Sequence, residues 1–194
     1  MEKTGVIVET KWSIDSTHSE IGFKVRHLMI SNVKGSFRKF DASIYTTEKD
    51  FTTATVDLWI DASSITTGDE KRDEHLKSED FLDVQKYKQI TFSSSTIGKP
   101  DHEGNQELWG ELTIKEITKN IKLNVQFGGT ATDPWGNEKA GFTVSGKINR
   151  SEWELVWNKT LDAGGIMIGD EISISCELEL VNHVKATVNM QIEG

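Results

Sequence analysis

The segment Ile21-Gly22-Phe23-Lys24-Val25-Arg26-His27 alternates between two faces with a period of two. Successive side chains of a β-strand point to opposite sides, so Ile21, Phe23, Val25 and His27 face one way and Lys24 and Arg26 the other. One face is dry and the other wet, as in an antiparallel sheet packed on one side only. A helix would instead need apolar residues at three- and four-residue spacing.

The same pattern recurs along the chain. It appears in Val56-Asp57-Leu58-Trp59-Ile60-Asp61, in residues 108–115, in Ile121-Lys122-Leu123-Asn124-Val125-Gln126-Phe127 and in residues 140–148. Residues 172–181 and 184–192 read as the last strands. Turn chemistry separates the runs, as at Gly98-Lys99-Pro100-Asp101, Gly128-Gly129, Asp133-Pro134-Trp135-Gly136-Asn137 and Ala163-Gly164-Gly165. Many short strands with glycine-rich turns and no internal repeat or linker predict one all-β domain over residues 1–194, a barrel or a sandwich.

One region departs from the pattern. Residues 68–77 are charged all round and rich in helix formers, and Ser78-Glu79-Asp80-Phe81-Leu82-Asp83 follows. We expect one or two short helices over one end of the fold, with Leu76, Phe81 and Leu82 turned inward. Ser78 is a candidate N-cap for the second turn, and Asp73 and Lys77 are spaced to pair. Such a segment acts either as a plug or as a lid for a ligand.

Composition narrows the function. The 194 residues carry a formal net charge of −9, which disfavours nucleic acid and anionic membrane surfaces as partners. The one cysteine, Cys176, forms no intramolecular disulfide and lies on the apolar phase of its strand, as a small buried hydrophobe would. No stretch has the apolar length of a transmembrane helix, and residues 1–11 hold no signal-like apolar run. The chain as written is expected in the cytoplasm; a chain that began after a removed signal would be periplasmic.

Several blocks together resemble a known family. They are residues 12–28, Val33-Lys34-Gly35-Ser36-Phe37, residues 67–81, Leu112-Thr113-Ile114-Lys115 with Thr118-Lys119, and Gly146-Lys147-Ile148-Asn149-Arg150-Ser151 with Gly169-Asp170-Glu171-Ile172. In this order, over about residues 12–181, they resemble the YceI-like proteins. The resemblance implies an antiparallel, lipocalin-like β-barrel of about eight strands whose apolar bore holds a polyisoprenoid or similar amphiphile. It implies binding, transport or storage of that lipid without chemistry on it, and no cofactor beyond a bound polyprenyl or acyl lipid. Quinone, polyprenol, polyprenyl phosphate and fatty amide share such a tail. Trp153 and Glu154, then Trp157, depart from the smaller aromatic pattern expected there and are expected to reshape one end of the pocket.

Physical chemistry selects the expected lining. A prenyl tail offers only hydrocarbon, and each five-carbon unit buried contributes about 3–4 kcal/mol gross, less the cost of ordering it. Ile21, Phe23, Val25, Phe37, Phe92, Leu112, Ile114, Phe142, Val144 and Ile174 supply smooth apolar wall. His18 and His27 flank the first strand and would donate to a head-group oxygen at a mouth. Gly110, in phase with Leu108 and Leu112, would leave room in the bore, and Arg150 would brace a strand end by pairing with a carboxylate.

Two other readings compete. Asp15, Ser16, His18 and Ser19 are the residue types of a hydrolase, but neighbours along a strand rarely converge, and no Gly-x-Ser-x-Gly elbow is present. The five histidines show no metal-ligand spacing. Trp59 and Trp109, on the outward phase, would form an exposed aromatic patch if the barrel were a filled interaction module, and a homodimer through barrel strands is compatible with either reading. An open apolar bore favours the lipid reading; a filled core favours the interaction module.

Overall fold

The computed structural model describes residues 8–183. In chain order the strands are β1 (Glu9–Ile14), β2 (Glu20–His27), β3 (Ser31–Phe37), β4 (Phe40–Thr47), β5 (Asp50–Asp61) and β6 (Ile65–Thr66). One helix, α1 (Glu70–Lys77), follows. Then come β7 (Gln89–Ile97), β8 (Asn105–Ile114), β9 (Ile117–Thr132), β10 (Glu138–Asn149) and β11 (Ile168–His183).

Hydrogen bonding closes the sheet. The order β1-β4-β5-β7-β8-β9-β10-β11 returns to β1 through the β1–β11 pairing, giving a closed eight-stranded antiparallel barrel. Closure removes the exposed edges that an open sheet would present. β2, β3 and β6 extend the wall at one end. β1 pairs with the end of β11, from Leu180 to His183 (Ser13↔Val181), and β2 pairs with its first part (Phe23↔Ile174). They are therefore two segments of one side, broken at residues 15–19. β3 and β4 are related in the same way across Arg38 and Lys39. A 3-10 turn at Ala62–Ser64, capped by the Asp61 carboxylate on Ser63 N–H, separates β5 from β6 at the same level.

The expected strands in residues 56–61, 121–127 and 140–148 lie within β5, β9 and β10, and 108–115 lies in β8 except for Lys115, which is in the turn. The run 172–181 is the middle of the longer β11. The expected strand at 184–192 lies outside the described residues.

The inward phase forms a continuous core. Trp12 is fully buried, and its indole N–H donates to Thr46 Oγ1 at 3.2 Å, so the polar edge of the ring is satisfied inside the wall. Around it, Phe51 stacks at 5.0 Å from Trp12 and 4.9 Å from Phe142, and Phe127 lies 5.2 Å from Phe142. These rings close the barrel at the end away from α1.

The opposite end is crossed by α1 and the turns after it. Asp69 is the N-cap, accepting from Arg72 N–H at 3.0 Å. Ser78, expected to start a second helix, instead caps the C-terminus of α1: its N–H and hydroxyl both donate to the His75 carbonyl. Its oxygen accepts weakly from Asp80 N–H at 3.4 Å, and the chain continues in turns rather than helix. Asp73 does not pair directly with Lys77. It is buried and accepts from Thr67 N–H and Oγ1 at 2.8 and 2.6 Å, while Lys77 reaches Glu74 at 3.1 Å. Phe81, Leu82 and Val84 are buried beneath this crossing, and Leu76 packs on the core.

Candidate functional site

The barrel encloses a cavity of about 650 Å³ along its bore. Strand register explains its wall. Leu58, Phe92 and Leu112 stand opposite one another across β5, β7 and β8. Ile21 lies between Phe37 and Cys176, and Phe23 faces Ile174. Val125, Val144 and Cys176 continue the inward row on β9, β10 and β11. The Cys176 thiol is pushed up to about 11 by burial, so it stays protonated at neutral pH and behaves as part of an apolar wall.

The ten apolar residues expected as wall line the bore, Ile21, Phe23, Val25, Phe37, Phe92, Leu112, Ile114, Phe142, Val144 and Ile174, and so does His27, one of the two histidines expected at a mouth. His18 does not. It is exposed beyond the end of β1, where its ring faces Asp15 Oδ2 at 3.0 Å. The break at residues 15–19 takes it out of the strand alternation. Gly110 is a second correction. It holds the inward phase, but a Cβ there would lie 2.5 Å from Phe92 Cζ, so the space it leaves belongs to the Phe92 ring. Gly35 does the same for Phe23, whose Cζ would stand 2.3 Å from a Cβ.

Sequence reasoning missed the parts of the lining that come from outside regular strands. Phe81 and Leu82 were expected to point inward, but Leu155, Trp157 and Met167 come from the long β10–β11 connection, which has no alternation to read. Trp157 borders the bore at the α1 end. It lies edge-on to His75 at 4.6 Å and 5.4 Å from Phe81, and His75 Nε2 stands 2.8 Å from Asp80 Oδ2. Trp153 instead packs behind the wall, its indole donating to the Leu112 carbonyl at 3.2 Å.

Arg150 braces this end. Its guanidinium donates to the backbone carbonyls of Gly169, Leu155, Trp157 and Ile168 and stands 3.3 Å from Asp170. A buried cation with this many acceptors holds the β10–β11 connection in place.

The residues of the hydrolase reading converge differently. Lys139 places its ammonium 2.6 Å from Asp15 Oδ2 and 3.0 Å from Glu179 Oε1, with His18 alongside. That hydrogen bond from Lys139, with others from Thr17 and His18, holds the Asp15 carboxyl well below the usual carboxylate range. The cluster lies outside the bore, and its carboxylates are already matched by a cation. Asp15, His18 and Glu179 are also the one trio of potential metal ligands among the described residues, and they draw on only one of the five histidines.

The tryptophans expected to form an interaction patch are separated. Trp59 is half-buried; Trp109 is exposed, with the Lys122 ammonium 5.8 Å from its ring centroid. Trp59 lies opposite Thr91, and Thr91 opposite Thr113, four residues along β8 from Trp109. No helix among the described residues is long and apolar enough to cross a membrane.

Comparison with known proteins agrees with this architecture. The sequence matches the YceI-like domain family over residues 12–180. A UPF0312 protein of Staphylococcus aureus (strain USA300) is 36% identical over 171 residues, 88% of this chain and 96% of that one. A Campylobacter jejuni YceI protein of known structure is similar with a TM-score of 0.70 at 32% identity, over 95% of this chain and 99% of that one. A polyisoprenoid binding domain from Saccharophagus degradans shares the fold, with a TM-score of 0.60 at 14% identity over 89% of this chain and 98% of that one. A closed eight-stranded barrel, a helix across one end and a match along nearly the whole wall place this chain in the YceI-like family.

Proposed function

We propose that the barrel binds a polyisoprenoid-type amphiphile tail-first in its bore and carries or stores it without chemical change. The carrying observation is the apolar cavity of about 650 Å³ between an aromatic floor and the α1 crossing. A solid core of the same residues would leave no such volume, because protein interiors pack with few voids larger than a water. At about 30 Å³ for each small group, the cavity takes on the order of twenty carbons, or four isoprene units. Burial of that much hydrocarbon is worth about 12–16 kcal/mol gross, of which ordering the chain and association take back a large share. The Saccharophagus degradans domain of the same fold, described as polyisoprenoid binding, supports an isoprenoid over an unbranched chain.

Binding rather than catalysis fits the lining. The cysteine on the wall is protonated, and the acid–base cluster of Asp15, His18, Lys139 and Glu179 lies outside the bore. An isoprenoid quinone, a polyprenol and a polyprenyl phosphate all present the required tail.

The test is native mass spectrometry of gently purified protein, then solvent extraction and identification of what is released. A stoichiometric prenyl species is the expected result. Protein that carries no adduct and takes up neither geranylgeraniol nor a short-chain quinone would overturn the reading and favour an interaction module.

A further inference from the structure

The charged residues that border the bore lie at the α1 end: Lys71, Arg72 and Arg150 with Asp69, and Arg26 at the rim, on the exposed, outward phase of β2. The segment around α1 also carries Glu70, Glu79 and Asp83, which do not border the bore. Arg150 is committed to backbone carbonyls and Asp170. The other three cations make no ion pair among the described residues. Nearby carboxylates are already engaged, Asp80 by His75, Glu74 by Lys77 and Asp73 by Thr67. Asp69 is turned to the helix N-terminus, where it caps Arg72 N–H.

Arg72 is also held in place. Its Nε donates to Thr67 Oγ1 at 2.7 Å and one Nη to the Thr67 carbonyl at 3.2 Å, and Thr67 is itself fixed by Asp73. Its other terminal nitrogen has no hydrogen-bond partner among the described residues. A guanidinium fixed along one edge presents its remaining N–H groups in a set direction, which suits an oxyanion. The opposite end of the barrel differs. It is lined by aromatic rings, and its turns carry Glu48, Asp50, Asp101, Glu103 and Asp133 against Lys49 and Lys99. An amphiphile with an anionic head therefore has one favourable orientation, tail to the floor and head at α1.

We propose that Arg26, Lys71 and Arg72 form a seat for an anionic head group, a phosphate or a carboxylate, and that this chain selects such lipids over neutral ones with the same tail. The inference rests on the reading of the bore as a lipid cavity and specifies what it takes.

The experiment uses delipidated full-length protein and competition against a fluorescent apolar probe. The competitors are geranylgeranyl phosphate, geranylgeraniol, oleate, oleyl alcohol and inorganic phosphate. Each anionic lipid is expected to bind about tenfold or more tightly than its alcohol, the scale of one charge-assisted contact, and to lose that margin as salt is raised. Arg26→Gln, and separately the Lys71→Gln/Arg72→Gln pair, are expected to narrow the margin by weakening the anionic lipids more than the alcohols, with an unchanged far-UV circular dichroism spectrum showing that the variants are folded. Tight, equal binding of phosphate and alcohol forms would overturn the seat and leave the lipid cavity standing. Inorganic phosphate matching geranylgeranyl phosphate would overturn it in favour of a free-anion site. Failure of all the lipids would overturn both the seat and the cavity reading.

Discussion

Gly110 occupies the inward phase of β8, where the alternation alone calls for an apolar side chain. A Cβ there would meet Phe92 Cζ and Ser93 O, both at 2.5 Å, so Gly110→Ala is expected to cost about 1–3 kcal/mol through overpacking. Urea unfolding measures this, and trimming the ring in Gly110→Ala/Phe92→Leu should recover only part, because the Ser93 carbonyl remains. A Gly110→Ala protein as stable as the parent would show that the ring moves aside freely. Period-two reading identified the phase of Gly110 but not which ring stands over it, since that depends on the neighbouring strand. His18, expected at a mouth because it flanks the strand, stands elsewhere for a local reason: Thr17 N–H and Oγ1 donate to Asp15 Oδ1 and turn the chain before His18. Asp15 carries its own expectation. Its carboxyl is held low chiefly by Lys139, so its contribution to stability is present above the ordinary value near 3.8 and is lost as pH falls below it toward the depressed folded value. Asp15→Asn should flatten the acid limb of the stability–pH curve below about pH 4 while lowering stability at neutral pH. An unchanged acid limb would mean that other carboxylates set acid unfolding.

At the scale of elements, α1 has little apolar surface, and one buried carboxylate ties it to the barrel. Asp73 accepts two hydrogen bonds from Thr67, which strengthen its charged form more than burial weakens it. Asp73→Ala leaves Thr67 without that partner at a cost of about 1–3 kcal/mol. The loss should be local. Hydrogen exchange is expected to quicken across residues 67–77 and a bound apolar probe to leave faster, while β8–β11 keep their protection. Uniform loss of protection would mean that α1 and the barrel unfold as one unit. The sequence of this segment is legible as a helix because its charges exclude a buried strand, yet its pairing is not: i,i+4 spacing offers Lys77 to Asp73, and a threonine before the helix takes the carboxylate instead. Among strands, β2, β8 and β9 are legible because their alternation is clean. β7 is obscured by Ser93-Ser94-Ser95, and β4 by Ala42 and Thr46 at inward positions. Their place in the barrel comes from pairing with β5, β8 and β1, a long-range property that no local window contains.

The whole barrel has two unlike ends, and on the proposed reading this asymmetry would make the bore a measure of tail length. At the α1 end the closure is built from short, polar-tethered pieces: the Thr67–Asp73 hydrogen bonds, the His75–Asp80 contact and the Arg150 brace. At the other end it is built from contacting rings, Trp12, Phe51, Phe127 and Phe142, with Phe51 in contact with all three others. A tail entering at α1 therefore meets its limit at Phe51, which lines the bore, while Trp12 lies behind it, fully buried. Phe51→Ala removes the central ring and extends the bore by roughly one isoprene unit, at a stability cost of about 2–4 kcal/mol because the neighbouring rings collapse only in part. The expected outcome is a shift in preference. In uptake from an equimolar series of polyprenols read by native mass spectrometry, the parent should favour tails near four units, and Phe51→Ala should favour longer ones. Ile97→Ala, on the neighbouring wall, separates a ruler from general loosening: it should weaken all tails alike. If Phe51→Ala left the length profile unchanged while remaining folded, the tail would stop short of the floor, and the α1 end would have to set its length.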